Sequence, residues 1–289
     1  MSAHALPHAQ VIADQGGDDP EGFAELLDKI ARERGFQCAS YKDRCLRRRI
    51  GTRMRAKGVH TFGDYGRVLD ADAGEYDRLL DALTINVTKL FRNRDAWSAL
   101  AERVIPTLWS RPEPRLRVWS AGASSGEEAY SLAALFHRPT AERGEAHRAG
   151  RVAVVGTDID AASLAAAQRG ADAEAAFADT PAPLRARYFT PGTPSTAVPE
   201  LRALVRFERH DLLRDPAPSG PWHLITCRNV LIYFDRDSQE RLLQQFADAL
   251  VPGGVLFLGK VETLLGRARS RFVAIDQRER LFRRLPGSP

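Results

Sequence analysis

Through the first hundred positions the apolar residues return at helical spacing. Phe23, Leu26, Leu27 and Ile30 fall at i, i+3, i+4 and i+7, and Gly35 is placed to end that helix. Leu46, Ile50 and Met54 mark one stripe of a second helix over 41–57, closed by Gly58. Phe62, Tyr65 and Leu69 give a third with Thr61 as its N-cap, and Tyr76, Leu79, Leu80 and Leu83 give a fourth. Short helices with short connections predict a small all-helical domain. Residues 1–19 are polar and aperiodic and are expected to form a mobile arm. After Leu83 the pattern loosens. Thr84, Ile85, Val87 and Thr88 are β-branched, which predicts an irregular connection over 86–88 and then a helix to about Val104. Pro106, Pro112 and Pro114 punctuate a boundary. The expected organisation is an arm over 1–19, a helical domain over 20–105, a linker over 106–114 and a second domain over 115–289.

From Leu116 onward, short apolar runs alternate with amphipathic stretches. Runs over 116–120, 151–160, 203–213, 222–234 and 255–259 read as strands. Helices are expected after the first strand, over 161–169 with Gly170 at its end, and over 236–250. Pro252-Gly253-Gly254 reads as the turn into the 255–259 strand, and 272–284 supplies a last pair of strand-like runs. Segment 171–200 is rich in Ala and Pro and poorly periodic. The alternation predicts an α/β fold with a mostly parallel sheet. Its strand ends at Ser120, Asp158, Asp211 and Asn229 would share one edge, where such sheets bind ligands.

Candidate chemistry concentrates in "RLRVWSAGASSGEEAYS" (115–131), a strand running through a glycine turn into a helix. Gly122 and Gly126 would let the backbone approach a ligand. Glu127 and Glu128 at the helix start would repel a pyrophosphate but suit a ligand with positive charge, such as S-adenosylmethionine with its sulfonium and amino groups. The same residues also fit an ordinary strand–helix turn, whose first-turn acids the helix dipole favours by itself. An acidic side chain at the end of the second strand is placed for ribose hydroxyls. Asp158 is better placed for this than Asp160, which equally fits the next helix's N-cap.

Composition narrows the classes. A length of 289 residues allows two modest domains, and 44% apolar with 27% charged residues describes an ordinary soluble chain. No apolar run reaches membrane-spanning length and no basic-then-apolar signal opens the chain, so a cytoplasmic protein without membrane insertion is expected. Cys38, Cys45 and Cys227 lack metal-ligand spacing and read as reduced thiols. The formal net charge of +5 favours an acidic partner.

Seven motifs stand in order: "LRRRIGTRM", "INVTKLFRN", "VWSAGASSGEEAYSLA", "GTDID", "HDLL", "ITCRNVLIYF" and "PGGVLFLG". Over roughly residues 40–262 the chain thereby resembles the chemotaxis receptor methyltransferases, the CheR family. The resemblance implies a helical N-terminal domain followed by a class I (Rossmann-like) methyltransferase domain with a small β-hairpin insertion. That hairpin would fall within about 187–209, where it looks too short to imply binding of a receptor tail. The implied reaction esterifies glutamate side chains on chemoreceptor helices with S-adenosylmethionine, leaving S-adenosylhomocysteine. It also implies that Asn86, Thr88 and Arg92 reach the cofactor from the N-terminal side. Glu127 and Asp158 would contribute from the first two strand ends, and Asp211, Leu212, Arg228 and Asn229 from later ones. Three positions depart from the family pattern: Ala129 for Pro, Lys260-Val261 for His-Ser before Glu262, and Asp172-Ala173 where Gly-x-Tyr is common.

The chemistry fits these residues. A carboxylate attacking a methyl sulfonium is already ionised and needs no general base, metal or covalent intermediate. Arg92 or Arg228 can hold the substrate carboxylate by a bidentate contact. Too firm a hold would slow transfer, because charge is lost on the way to the ester. Positioning is therefore assigned to Arg92, with Tyr233 beside it in the catalytic set, although Tyr233 equally fits core packing. With Leu46, Ile50 and Met54 inward, Lys42, Arg44, Arg47, Arg48, Arg53, Arg55 and Lys57 are expected to spread over the outer faces of helix 42–57. Acidic receptor helices would suit that surface, and a merely solvated face is the alternative. The protein is expected to act as a monomer.

Two other classes stay open. A nucleic-acid methyltransferase fits the basic balance, but Cys227 lacks a preceding proline and no Asn-Pro-Pro-Tyr-like run occurs. The basic run also lacks interleaved aromatics, so no nucleic-acid partner is expected. A signalling module that binds S-adenosylmethionine or S-adenosylhomocysteine with weak activity is the other, and Lys260-Val261 leaves it open.

Overall fold

The computed structural model describes residues 19–84 and 88–287. Asn86 and the expected arm fall outside the described residues, except Asp19, which belongs to a helix rather than an arm. Its carboxylate accepts the Gly22 N–H and caps the first helix. The chain divides into two compact units, 1–84 and 85–289.

The first unit holds α1 (Pro20–Arg34), α2 (Asp43–Lys57), α3 (Phe62–Ala71) and α4 (Ala73–Leu83). Gly35 and Gly58 end α1 and α2 in the left-handed conformation, and Thr61 caps α3 through the Asp64 N–H. The periodic residues meet in one core that includes Phe23, Ile30, Leu46, Ile50, Tyr65 and Leu79. Within it sits a fully buried carboxylate, Glu75. Arg53 grips it with two donors (2.9 and 2.6 Å), Tyr65 Oη donates at 2.8 Å and Arg78 Nε at 3.0 Å. Lys57 Nζ lies 3.5 Å away. This corrects the expected basic surface of α2. Arg53 and Lys57 turn toward Glu75, and the Arg47 guanidinium lies 3.8 Å over the Phe23 ring. Arg44, Arg48 and Arg55 remain on the exposed side.

The second unit begins earlier than the expected boundary at 105. α5 (Arg94–Arg103) and α6 (Ile105–Trp109) bury Trp97, Leu100, Val104, Ile105 and Leu108 in the same core as the sheet residues Leu116, Val118 and Val154. The segment expected as a linker therefore starts as helix. Then come β1 (Leu116–Ala121), α7 (Glu127–Glu142), β2 (Val152–Asp158), α8 (Ala161–Arg169), β3 (Ala171–Asp172), α9 (Ala182–Tyr188), β4 (Ser195–Thr196) and α10 (Pro199–Arg202). The last part holds β5 (Val205–Arg209), β6 (Trp222–Cys227), α11 (Arg236–Ala249), β7 (Leu250–Leu258), β8 (Phe272–Asp276) and β9 (Leu281–Arg284).

The main sheet has the order β5-β2-β1-β6-β7-β9-β8. The first five strands are parallel, and the β9 and β8 pairings are antiparallel. Strands buried along their whole length, such as β6, follow from helices covering the sheet. Pro252-Gly253-Gly254 lies inside β7 instead of preceding it. β3 and β4 form a separate antiparallel pair. Only β4 falls within 187–209; its partner at 171–172 comes from the segment that looked aperiodic. Strands of two residues leave no period to read. No helix among the described residues is long and apolar enough to cross a membrane.

Candidate functional site

β1 ends at Ala121 and the chain turns through Gly122 (φ 80°) to Gly126 (φ 100°), where α7 starts. A Cβ on Gly122 would lie 2.5 Å from Val230, and one on Gly126 would lie 2.9 Å from Ala167. A side chain at either position would collide with packed protein, so both must be glycine. Glu127 and Glu128 leave the helix start about 100° apart around its axis. Glu127 is buried; Ser125 Oγ donates to both its oxygens at 2.9 Å, and Thr88 also hydrogen-bonds to it. Burial pushes its carboxyl up, against the pull of these bonds. Glu128 serves elsewhere. It accepts from Ser120 Oγ (2.9 Å) and Thr226 Oγ1 (2.5 Å), and Arg228 Nη1 stands 3.7 Å away. It ties β1 to β6.

At the end of β2, Asp158 accepts the N–H groups of Ser124 (2.8 Å) and Asp160 (3.0 Å), so it fixes the glycine turn from the next strand. Burial pushes its carboxyl up and these bonds oppose the shift. Asp160 caps α8 through the N–H groups of Ala162 and Ser163. Beyond β5, the Asp211 carboxylate accepts the Leu213 N–H at 2.9 Å, and both Asp211 and Leu212 are half-buried.

A recess of about 40 Å³ lies between the end of β6 and the loop before α5. Thr88, Arg92, Arg228, Asn229 and Tyr233 all line it, together with Gly122, Ser124 and Glu128. Five sequence candidates thus converge there. Glu127, Asp158, Asp211 and Leu212 stand off its wall along the strand-end edge. Loop 88–93 is pinned at several points. Leu90 N–H donates to Ala176 O (3.0 Å) and Phe91 N–H to Ser131 Oγ (2.9 Å), with Phe91 and Asn93 both at positive φ. Trp97 Nε1 and Arg228 Nη2 each donate to the Arg92 carbonyl at 2.9 Å.

Arg228 is buried, with its guanidinium over the rings of Phe257 (4.5 Å) and Trp97 (5.2 Å). Burial pulls its pKa down, against the neighbouring carboxylates of Glu128 and Glu262. Its side chain therefore holds the Arg92 loop in place. Burial likewise pushes the Cys227 thiol well above its ordinary value, which suits a core residue rather than a nucleophile. Sequence reasoning missed two groups, Glu128 as a tie between strands and Glu262. The Glu262 carboxylate meets backbone N–H groups about thirty residues away, and no spacing rule reports such contacts.

The family described as CheR methyltransferase, SAM binding domain, matches residues 86–281, and the CheR methyltransferase all-alpha domain matches residues 21–84. A chemotaxis protein methyltransferase of Listeria innocua is 38% identical over 240 residues, covering 83% of this chain and 88% of that one. Chemotaxis protein methyltransferase 2 of Pseudomonas aeruginosa is 36% identical over 251 residues, covering 85% and 87%. A chemotaxis protein methyltransferase of Klebsiella aerogenes is 37% identical over 249 residues, covering 83% and 82%.

Proposed function

This chain belongs to the CheR methyltransferase family, and from that premise we propose how its residues carry the reaction. It transfers the methyl group of S-adenosylmethionine to glutamate side chains of chemoreceptors, producing glutamyl methyl esters. What supports the residue assignment is the convergence of Thr88, Arg92, Asn229 and Tyr233 on one recess, beside the strand ends that carry Glu127 and Asp158.

The residues fit the cofactor. The buried Glu127 carboxylate suits its cationic amino group, and Asp158 at the end of β2 suits its ribose hydroxyls. The recess is far smaller than the few hundred Å³ of a ligand pocket, so it accepts only a small part of the reacting groups. A nucleoside belongs along the strand-end edge toward Asp158, Asp211 and Leu212. Asn86 joins the set by the family pattern.

S-adenosylmethionine supplies, when bound, a methyl group on a positively charged sulfur. The protein contributes alignment. Proximity and orientation can contribute roughly 7–11 kcal/mol at the well-aligned extreme, and the substrate carboxylate, already ionised, needs no base. Arg228 is committed to the Arg92 carbonyl and to Glu128, so we assign the substrate carboxylate to the Arg92 side chain, with Tyr233 on the same wall. Receptor docking is assigned to the exposed arginines of α2, and the protein acts as a monomer.

The assay is transfer of labelled methyl to receptor fragments, with alkaline release of the label. Methanol released in alkali identifies a glutamyl ester. Label on nucleic acid, or S-adenosylhomocysteine binding with no transfer to receptor, would replace this reading with one of the other two classes.

A further inference from the structure

We propose that Glu262 is a positioning residue that sets the wall of the recess. This rests on the reading of the site given above. Its side chain is buried, at 3% exposure. One oxygen, Oε2, accepts the N–H groups of Asn229 (2.9 Å) and Gly259 (2.6 Å); the other, Oε1, accepts the N–H of Val230 (2.9 Å). Three donors from two loops converge on one carboxylate. Among the described residues it forms no ion pair within 4 Å; the nearby Arg228, paired instead with Glu128, acts on it only through its charge.

The position of this clamp explains its use. β6 and β7 are held in parallel register as far as Cys227 and Leu258. Beyond that pair the strands end and the backbone ladder stops. Asn229 and Val230 follow β6, Gly259 follows β7, and the Glu262 side chain carries the connection on past the last rung. Asn229 also sits at φ 62°, a left-handed conformation that needs support from its surroundings. The loop so held brings Asn229, Val230 and Tyr233 to the recess. Gly259 is shaped to the same contact, since a Cβ there would lie 2.6 Å from Glu262 Oε2 and 2.8 Å from the Asn229 nitrogen. Arg228 is near enough to favour the charged form but makes no ion pair with it, and burying a carboxylate on those terms is a poor way to gain stability; an apolar side chain of similar volume would serve a core better. The arrangement makes sense as a device that fixes loop geometry.

Glu262→Gln separates this role from a general structural one. An amide can present its single carbonyl oxygen to only one side of the clamp, and its NH2 then faces a backbone N–H. We expect S-adenosylhomocysteine affinity, read by calorimetry on the full chain, to fall about tenfold, the effect of a buried donor left unpaired. The KM for receptor should stay within about twofold. Glu262→Asp keeps both oxygens and should recover most of the loss. Glu75→Gln, which weakens the buried carboxylate of the first unit, serves as the control: it should lower the melting temperature yet leave S-adenosylhomocysteine affinity intact. If Glu262→Gln does not fold, Gly259→Ala takes its place with the same expected loss, because it drives a methyl group into Oε2.

Wild-type affinity in a folded Glu262→Gln or Gly259→Ala chain would overturn the proposal. So would an affinity loss in Glu75→Gln as large as that in Glu262→Gln. A wild-type chain that fails to bind S-adenosylhomocysteine would instead bring down the reading of the site itself.

Discussion

At the end of β2, two aspartates two positions apart do different work, and their mutants should differ accordingly. Asp160 is spent on the α8 cap; Asp158 holds the glycine turn and faces the strand-end edge. Asp158→Ala should cost roughly 1.5–3 kcal/mol of S-adenosylhomocysteine binding, the range for hydrogen bonds to a charged group. Asp160→Ala should cost about 1 kcal/mol of stability, as a lost cap does, with little change in affinity. Calorimetry on both decides, and equal affinity losses would reassign the ribose contact. Asp172 offers a different test. It is buried, its Oδ2 has no partner among the described residues, and burial, with a smaller push from Glu127, raises its carboxyl to about 7. A raised carboxyl favours the folded state most below the ordinary value near 4, and that contribution is lost as pH rises to 7. Asp172→Asn removes the titration. Relative to wild type it should gain roughly 2–4 kcal/mol between pH 4 and pH 7, at 1.4 kcal/mol per pKa unit, with no further gain above. Parallel melting curves across that range would show that Asp172 titrates normally. Single residues were legible where their work is local, as with Gly35, Gly58 and Thr61. Glu128 and Glu262 were not, because their partners lie on other strands.

Elements were legible wherever an apolar stripe or a strand-length run was long enough to show its period. α1 to α4, α8 and α11 follow their stripes, whereas β3 and β4 are too short to have one. The apolar face of α5 was equally visible, but a stripe does not say which core it joins, so this helix was assigned to the first unit, and the short α6 behind Pro106 was read as linker. For α2 the stripe was right and the outer face was overcounted, which changes the docking experiment. Arg53 and Lys57 are engaged with Glu75, and Arg47 with the Phe23 ring, so reversing them would disturb the first unit's core. The informative pair is Arg44→Glu with Arg48→Glu. If receptors dock there, the double variant should raise the KM for receptor and leave cofactor affinity intact. Wild-type docking should weaken with salt, since the Debye length falls from about 10 Å at 0.1 M to about 3 Å at 1 M. Methylation kinetics insensitive to both changes would make α2 a solvated face.

The molecule has two separately cored units, and all residues lining the recess belong to the second. A chain of residues 85–289 should therefore bind S-adenosylhomocysteine within about threefold of the full chain while losing receptor methylation, as expected when a unit with its own core is removed. A chain starting near residue 110 should lose both, because it discards Trp97, Leu100 and Leu108 from the core under the sheet. Full affinity in that shorter chain would show that loop 88–93 is not part of the site. The two-domain plan was visible from the change of period near residue 110, but its boundary was not, since helices continue across it. The sheet's terminal strand β5 carries one more consequence. It pairs with β2 alone, and three of its five residues, Arg206, Glu208 and Arg209, are charged and exposed. A strand at the end of a sheet invites a second copy to add on, and aggregation starts that way. Here any such addition would strip water from these side chains. The strand that completes one side of the sheet thus also makes the addition of a second copy's strand costly.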